Sequence, residues 1–166
     1  MNIDNARGIV DALKAAGIDY VAYLPDSFFF EVLQLIRADP DLMSIAVCNE
    51  STGLCMCAGA WLGGKKPVMI MENSGILVSA YGITRLLHAF GIPILILSSW
   101  RGEAGDAFWW SSAFTRVNEP VLRGLAIPFV FAADAAAART AIVDSQTSLS
   151  VSDEPRAVIC TGVGKW

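Results

Sequence analysis

Short apolar runs alternate along the chain with longer segments in which apolar residues recur at helical spacing. The first such segment, 4–16, places Ile9, Val10 and Leu13 on one helical stripe and ends before Gly17. The pattern that follows predicts helices at 28–37, 50–62, 74–88, 118–125 and 134–146, and strands at 20–24, 43–48, 67–72, 92–98, 127–132 and 157–161.

This alternation of strands and helices predicts an α/β fold with a parallel sheet. Strand segments such as 68–71 and 94–97 are apolar at every position, which is typical of strands that helices cover on both faces. We therefore expect a three-layer, doubly wound parallel sheet of about six strands. Because no repeat or linker interrupts the chain, we interpret residues 1–166 as a single domain, with 145–152 as a surface loop.

The composition limits the classes of partner. Hydrophobic residues make up 54% of the chain and charged residues only 17%, which favours burial against another chain. The net charge is -4 and the sequence has no lysine or arginine cluster, so it lacks the basic patch that is typical of nucleic-acid-binding proteins. The longest apolar stretch, 89–97, is shorter than the roughly 20 residues that span a bilayer, so no membrane insertion is expected. The N-terminus has no secretory pattern, so we expect a cytoplasmic protein.

The chain is a poor source of metal ligands. Its four cysteines, Cys48, Cys55, Cys57 and Cys160, have no C-x-x-C spacing, and we expect them to be small buried side chains in a reducing compartment. His88 is the only histidine and falls near the end of a predicted helix, which suits a structural residue. No metal site is predicted within the chain.

Polar residues follow four of the predicted strands at the point where each ends. They are Asp26 and Ser27, then Asn49 and Glu50, then Asn73, Ser74 and Gly75, then Ser98, Ser99 and Arg101. In an open parallel sheet the ligand crevice lies beyond the carboxyl ends of the strands, so all should face one edge. Helix capping explains each of them singly, and only the set predicts a site.

Glu50 has two interpretations from the residues alone. It follows an apolar strand and precedes the apolar helix segment 54–58. A carboxylate in the first turn of a helix gains about 0.3 to 1 kcal/mol from the helix dipole, which is a structural explanation. The functional alternative is a carboxylate that an apolar crevice holds against a ligand nitrogen, with which it shares a proton.

Several strings at predicted strand ends together resemble one known family. They are Leu-Pro-Asp-Ser at 24–27, the segment 49–60, Gly-Lys-Lys-Pro at 64–67, Met-Glu-Asn-Ser-Gly at 71–75 and Ser-Ser-Trp-Arg-Gly-Glu at 98–103. In this order, over residues 5 to 132, the chain resembles the small thiamine-diphosphate-dependent decarboxylases that act on sulfopyruvate and phosphonopyruvate. The resemblance implies the thiamine-diphosphate-binding fold, and within it the pyrimidine-binding domain.

The resemblance also implies a chemistry for Glu50. In this family a glutamate shares a proton with N1′ of the cofactor's aminopyrimidine, and so lets the cofactor attack the keto carbon of a 2-oxoacid, from which carbon dioxide leaves. By position that role falls on Glu50 as the catalytic residue. The chain would then be the pyrimidine-binding subunit of a carboxy-lyase.

Other residues receive roles from the same resemblance. The cofactor-binding set would be Asp26, Ser27, Glu50, Asn73, Ser74 and Gly75. Asp26 would also lie close to the substrate. Arg101 would either attract an anionic substrate or pair with Glu103 on the surface.

A part of the family's pattern is missing from this sequence. The Gly-Asp-Gly motif, followed downstream by asparagine, that holds Mg²⁺ against the diphosphate does not occur, and the glycines at 63–64 and 162–164 suit turns. The resemblance therefore implies a separate, diphosphate-binding β-type subunit that holds the metal. The active site would form at the interface of a hetero-oligomer with repeated copies of both subunits, and this chain alone would be inactive.

Two further features depart from the family or stay open. The family commonly continues with glycine and asparagine after 73–75, whereas 76–78 here are Ile-Leu-Val, which predicts a more apolar pocket. The aromatic run 108–110, Phe-Trp-Trp, suits either a lid over a bulkier substrate or a contact with the partner.

Other functions are compatible with the same fold. The enzyme would be a carboligase if it joined the decarboxylated fragment to a second carbonyl compound. A noncatalytic regulatory or binding subunit would keep the fold and lose the chemistry, against which Glu50 argues. A dinucleotide-binding module is disfavoured because no G-x-G-x-x-G follows the first strand.

Overall fold

In a computed structural model, which describes residues 1–162 and 166, the strands form one parallel sheet. They are β1 (Tyr20–Tyr23), β2 (Met43–Ala46), β3 (Pro67–Glu72), β4 (Leu95–Ser99), β5 (Phe129–Ala132) and β6 (Arg156–Cys160). The strand order is β2-β1-β3-β4-β6-β5, and every neighbouring pair is parallel. The predicted α/β class and doubly wound sheet are confirmed.

Helices connect the strands in the predicted order. They are α1 (Ile3–Ala15), α2 (Phe30–Ala38), α3 (Glu50–Leu62), α4 (Ser74–Gly82), α5 (Ser112–Gly124) and α6 (Ala135–Ser152). A π-helical turn, Ile83–His88, continues α4, and a 3₁₀ turn, Trp109–Ser111, precedes α5. α5 thus begins six residues before the predicted 118, within the stretch whose sequence pattern is irregular.

Two apolar cores lie on the two faces of the sheet. α1, α2 and α6 cover one face, and α3, α4, the π-helical turn and α5 cover the other. Side chains of β3 alternate between them: Val68 and Ile70 enter the first core, while Met69 and Met71 enter the second. Burial on both faces explains why residues 68–71 of this strand are all apolar.

One prediction about an irregular segment is wrong. Residues 145–152 are the last turns of α6 and not a loop. The hydroxyl groups of Ser148, Ser150 and Ser152 each donate to a backbone carbonyl four residues earlier, and Leu149 is buried, so the helix accommodates its serines. The two edge strands are not fully covered, and Met43 of β2 is 59% exposed.

The cysteines divide into two pairs. Cys57 and Cys160 are buried as expected, and burial raises the pKa of the Cys57 thiol to about 12. Cys48 and Cys55 are exposed, which corrects the expectation for this pair. His88 has the structural role predicted for it, because its Nε2 lies 2.6 Å from the carbonyl oxygen of Leu125.

Among the described residues, no helix combines the length and the apolar character needed to cross a bilayer. Within the same part of the chain, no group of three or more histidine, cysteine, aspartate or glutamate side chains is arranged to hold a metal ion.

Candidate active site

A cleft of about 250 Å³, here called the carboxyl-edge cleft, opens where β1, β3 and β4 end. Its lining residues are Pro25, Asp26, Ser27, Glu72, Arg101, Phe108, Trp110 and Ser111. The fold therefore brings Asp26, Ser27 and Arg101 of the predicted set together, because parallel strands present their carboxyl ends at the same edge. Glu72 and an aromatic wall formed by Phe108 and Trp110 complete the cleft.

Asp26 is buried and held on both carboxylate oxygens. Its Oδ1 accepts a hydrogen bond from the backbone N–H of Phe28 (2.9 Å), and its Oδ2 accepts one from the hydroxyl of Ser99 (2.5 Å). Ser99 is the last residue of β4. These bonds fix the direction of the Asp26 side chain between the β1 loop and β4.

Asn73 ties two loops of the cleft together. Its side-chain Nδ2 donates to the carbonyl oxygen of Arg101 (3.0 Å), and its Oδ1 accepts from the backbone N–H of Arg101 (3.2 Å). The side chain is fully buried. Asn73 therefore holds the loop after β4 against the start of α4, while its direct contact with a cofactor stays a prediction.

Arg101 forms a buried bidentate ion pair with Asp106. Its Nε and Nη2 each donate to a carboxylate oxygen of Asp106 at 2.8 Å, and its guanidinium lies 4.9 Å from the centre of the Phe108 ring. The guanidinium lowers the pKa of Asp106, and the bond to Asp106 raises the pKa of Arg101. The predicted surface pairing with Glu103 is wrong, because Glu103 accepts instead from the backbone N–H of Gly162 (2.8 Å).

Glu50 is in the first turn of α3 and is not among the residues that line the carboxyl-edge cleft. The residue is only 7% exposed, and its carboxylate has no hydrogen bond or ion pair within the described part of the chain. Its two oxygens are nevertheless not among the fully buried unpaired atoms, so they remain accessible. Asn49 caps α3 instead, accepting from the backbone N–H of Ser51 at 2.9 Å. Glu50 is therefore not the cap of α3, but its place in the first turn still gives it the favourable interaction with the helix dipole.

The space for Glu50 depends on a glycine in α4. A Cβ atom built at Gly75 would come within 2.5 Å of Glu50 Cγ and 2.7 Å of Met71 Sδ. Only a residue without a side chain therefore lets Glu50 pack this closely. Gly75 therefore helps to position the Glu50 side chain. It belongs to the same motif, 71–75, as Asn73 and Ser74.

Glu72 and Asp106 are the two charged residues of the site that the sequence reasoning did not single out. Glu72 ends β3 and accepts a hydrogen bond on Oε1 from the hydroxyl of Ser74 (3.2 Å). Burial raises the pKa of Glu72, and the charge of Asp26 adds to this effect. A signal for Glu72 was present, since a single acidic residue closes a strand of five apolar ones.

Comparison with known proteins identifies the family. The family described as "Thiamine pyrophosphate enzyme, N-terminal TPP binding domain" matches residues 3–116. The chain belongs to this family. The family's cofactor, thiamine pyrophosphate, is the thiamine diphosphate expected from the sequence motifs, and the predicted resemblance is confirmed.

Individual relatives agree with the family. The chain is 30% identical over 166 residues to sulfopyruvate decarboxylase subunit alpha of Methanothermobacter thermautotrophicus, covering 100% of both chains. It is 33% identical over 101 residues to phosphonopyruvate decarboxylase of Streptomyces viridochromogenes, covering 61% of this chain and 25% of that protein.

A solved structure extends the agreement in fold. It is 2-oxoglutarate:ferredoxin oxidoreductase from Magnetococcus marinus, which matches with a TM-score of 0.74 and 15% identity, over 98% of this chain and 29% of that one. At this identity the likeness concerns the fold alone.

The residues present fit the pyrimidine ring of this cofactor. A protonated ring nitrogen needs a carboxylate acceptor that has no competing partner. Glu50 offers one, nearly buried and without a bond to the described residues. Because Gly75 has no side chain, the space that the Glu50 side chain needs next to α4 is free.

Proposed function

We propose that this chain is the pyrimidine-binding subunit of a thiamine-diphosphate-dependent 2-oxoacid decarboxylase that completes its active site with a second subunit. The proposal rests on Glu50 at the carboxyl edge of the sheet, a residue only 7% exposed whose carboxylate oxygens have no partner among the described residues and are open to a ligand. The match to a sulfopyruvate decarboxylase alpha subunit over the full length of both chains supports the same conclusion.

In this proposal Glu50 shares a proton with N1′ of the aminopyrimidine. When bound, the cofactor supplies an electron sink for the bond that breaks in decarboxylation. Gly75 holds Glu50 in place, and Asn73 holds the loop that carries Arg101. Ser74 belongs to the predicted cofactor pocket and bonds to Glu72 at its rim.

Asp26, Ser27 and Arg101 would face the substrate across the carboxyl-edge cleft. Asp26 is oriented by Phe28 and Ser99 towards a space that also contains Ser27. The positive charge of Arg101 is already neutralised by Asp106. An anionic group of a substrate would therefore bind Arg101 only in competition with Asp106.

A second subunit is supported by the outer surface of α3 and α4. Side chains that face away from the sheet on these helices are apolar or small and exposed, namely Cys55, Leu62, Val78 and Tyr81. Helices that are apolar on all sides are normally buried in a larger assembly. Part of this α3–α4 surface belongs to α3, the helix that begins with Glu50, so a partner bound there would reach the active site.

The partner would supply what this sequence lacks. We infer that a β-type subunit holds the diphosphate and Mg²⁺, since the Gly-Asp-Gly motif does not occur in residues 1–166. Repeated copies of both subunits would then form a cytoplasmic hetero-oligomer. In this arrangement, the reaction requires both chains.

The test is reconstitution. The chain is copurified with the candidate product of a neighbouring gene and supplied with Mg²⁺, thiamine diphosphate and a panel of small 2-oxoacids. We expect carbon dioxide and an aldehyde from the complex and from neither subunit alone. Activity of this chain alone would contradict the division of the site, and a complex that binds the cofactor but releases no carbon dioxide would contradict the decarboxylase. A carboligated product in place of the aldehyde would identify the alternative reaction.

A further inference from the structure

Two carboxyl groups lie in the lining of the carboxyl-edge cleft. Asp26 and Glu72 both line it. Glu72 is the last residue of β3 and stands in register with Ser99 of β4, whose hydroxyl donates to Asp26. Ser99 thus links the strand position of Glu72 to the side chain of Asp26.

The two groups differ in how their oxygens are used. Both oxygens of Asp26 accept hydrogen bonds, from the backbone N–H of Phe28 and from the hydroxyl of Ser99. Glu72 accepts one bond, from Ser74 to Oε1, and its Oε2 has no partner among the described residues. Oε2 is therefore the oxygen on which a proton can sit and be passed on.

Burial and nearby charges raise the pKa of Glu72. Burial is the main cause that raises its pKa, and the carboxylates of Asp26 and Asp106 raise it further. The bond from Ser74 and the guanidinium of Arg101 act in the opposite direction without cancelling the rise. Arg101 is itself paired with Asp106, which limits its influence. Neighbouring carboxyl groups with unequal surroundings are a common way to keep one of them protonated.

We propose that Glu72 is the acid that protonates the substrate carbon after carbon dioxide has left. This role rests on the proposed function. The carbon–carbon bond to the carboxylate breaks, and its electron pair stays on the substrate side. That pair takes the proton from Oε2 of Glu72: a C–H bond forms, the O–H bond breaks, and Glu72 becomes a carboxylate. Water entering the open cleft protonates Glu72 again.

The first test is kinetic and uses the reconstituted complex. For Glu72→Gln we expect kcat for aldehyde formation to fall on the order of 100-fold or more, the usual contribution of a general acid. Carbon dioxide release in a single turnover should keep its wild-type rate, because that step precedes the protonation. Glu72→Asp keeps an acid and should retain part of kcat and an alkaline limb in the pH profile, which Glu72→Gln loses. Glu154→Gln, at an exposed position after α6, is the matched control.

The second test needs no catalysis. Infrared difference spectra of the full chain, wild type against Glu72→Gln, follow the titration of this one carboxyl group. We expect its midpoint above the ordinary glutamate value of about 4.3 and a lower midpoint in Asp26→Asn. An ordinary midpoint that Asp26→Asn does not move would overturn the coupling between the two groups.

The outcomes separate this role from the function on which it rests. Carbon dioxide release by the wild-type complex, together with wild-type kcat and pH profile for Glu72→Gln, would overturn the donor role alone. A wild-type complex that binds cofactor and releases no carbon dioxide from any 2-oxoacid would overturn the decarboxylase and the donor role together.

Discussion

Glu50 and Gly75 are in direct contact across α3 and α4, and the contact exists only because Gly75 has no side chain. An added Cβ atom would lie 2.5 Å from Glu50 Cγ. Distances of this kind force a neighbour to move, and here the neighbours are the proposed catalytic carboxylate and the buried Met71. The position of Glu50 is therefore set by a residue of a different helix.

We expect Gly75→Ala to displace Glu50 and to lower cofactor affinity and kcat of the assembled enzyme. Overpacking of this kind costs about 1 to 3 kcal/mol of folding free energy, which urea unfolding of the chain alone would measure. The matched control is Gly124→Ala in α5, where an added Cβ meets no atom within 4 Å. Equal cofactor affinity in Gly75→Ala and wild type would show that this contact does not position Glu50.

The Arg101–Asp106 pair should stabilise the loop that forms the aromatic wall of the cleft. In Asp106→Asn the buried guanidinium loses its counter-charge, and we expect a loss of about 3 kcal/mol in the free energy of unfolding. Glu119→Gln provides the control, because it breaks the exposed pair between Arg123 and Glu119, for which the expected loss is below about 1 kcal/mol. Similar losses in both variants would contradict a special role for the buried pair.

The same pair gives the stability a defined pH dependence. Folding lowers the pKa of Asp106 below its unfolded value of about 3.9, chiefly through the bonds from Arg101. The contribution is therefore complete above that value and is lost as the pH falls through the folded pKa. Wild type should lose more stability than Asp106→Asn between neutral pH and acid, and parallel curves would contradict the assignment.

The α3–α4 surface should be the contact for the second subunit. Tyr81 is 76% exposed there, and we expect Tyr81→Glu to weaken copurification of the partner while leaving the melting temperature of this chain unchanged. Val151→Glu is the control, because Val151 is 84% exposed on α6, which covers the opposite face of the sheet. Loss of the partner in Val151→Glu, with retention in Tyr81→Glu, would place the interface on the other face.

Much of this architecture follows from local sequence patterns. Strand segments that are apolar at every position, such as residues 68–71 of β3, and the polar residues that follow the strands predict a covered parallel sheet and one functional edge. The motifs also indicate the family. These features are determined by residues that are close together in the sequence, so one sequence is enough to predict them.

Features that depend on contacts between distant elements were not predictable. Asp106 looks like any loop aspartate until the fold places it against Arg101. The last turns of α6 have a serine-rich sequence, and Leu149 within them packs into the core under α6, a contact that the local pattern does not reveal. Cys48 and Cys55 are exposed because the edge of the sheet and the outer face of α3 are uncovered in the single chain.

The central claim is that the carboxylate of Glu50 holds the proton of the cofactor's ring nitrogen. Its most direct test is kcat of the reconstituted complex with Glu50→Gln, which keeps the shape of the side chain, beside Glu154→Gln as control. We expect unchanged folding and partner binding and a fall in kcat on the order of 100-fold or more. Wild-type kcat in a folded and assembled Glu50→Gln complex would contradict it.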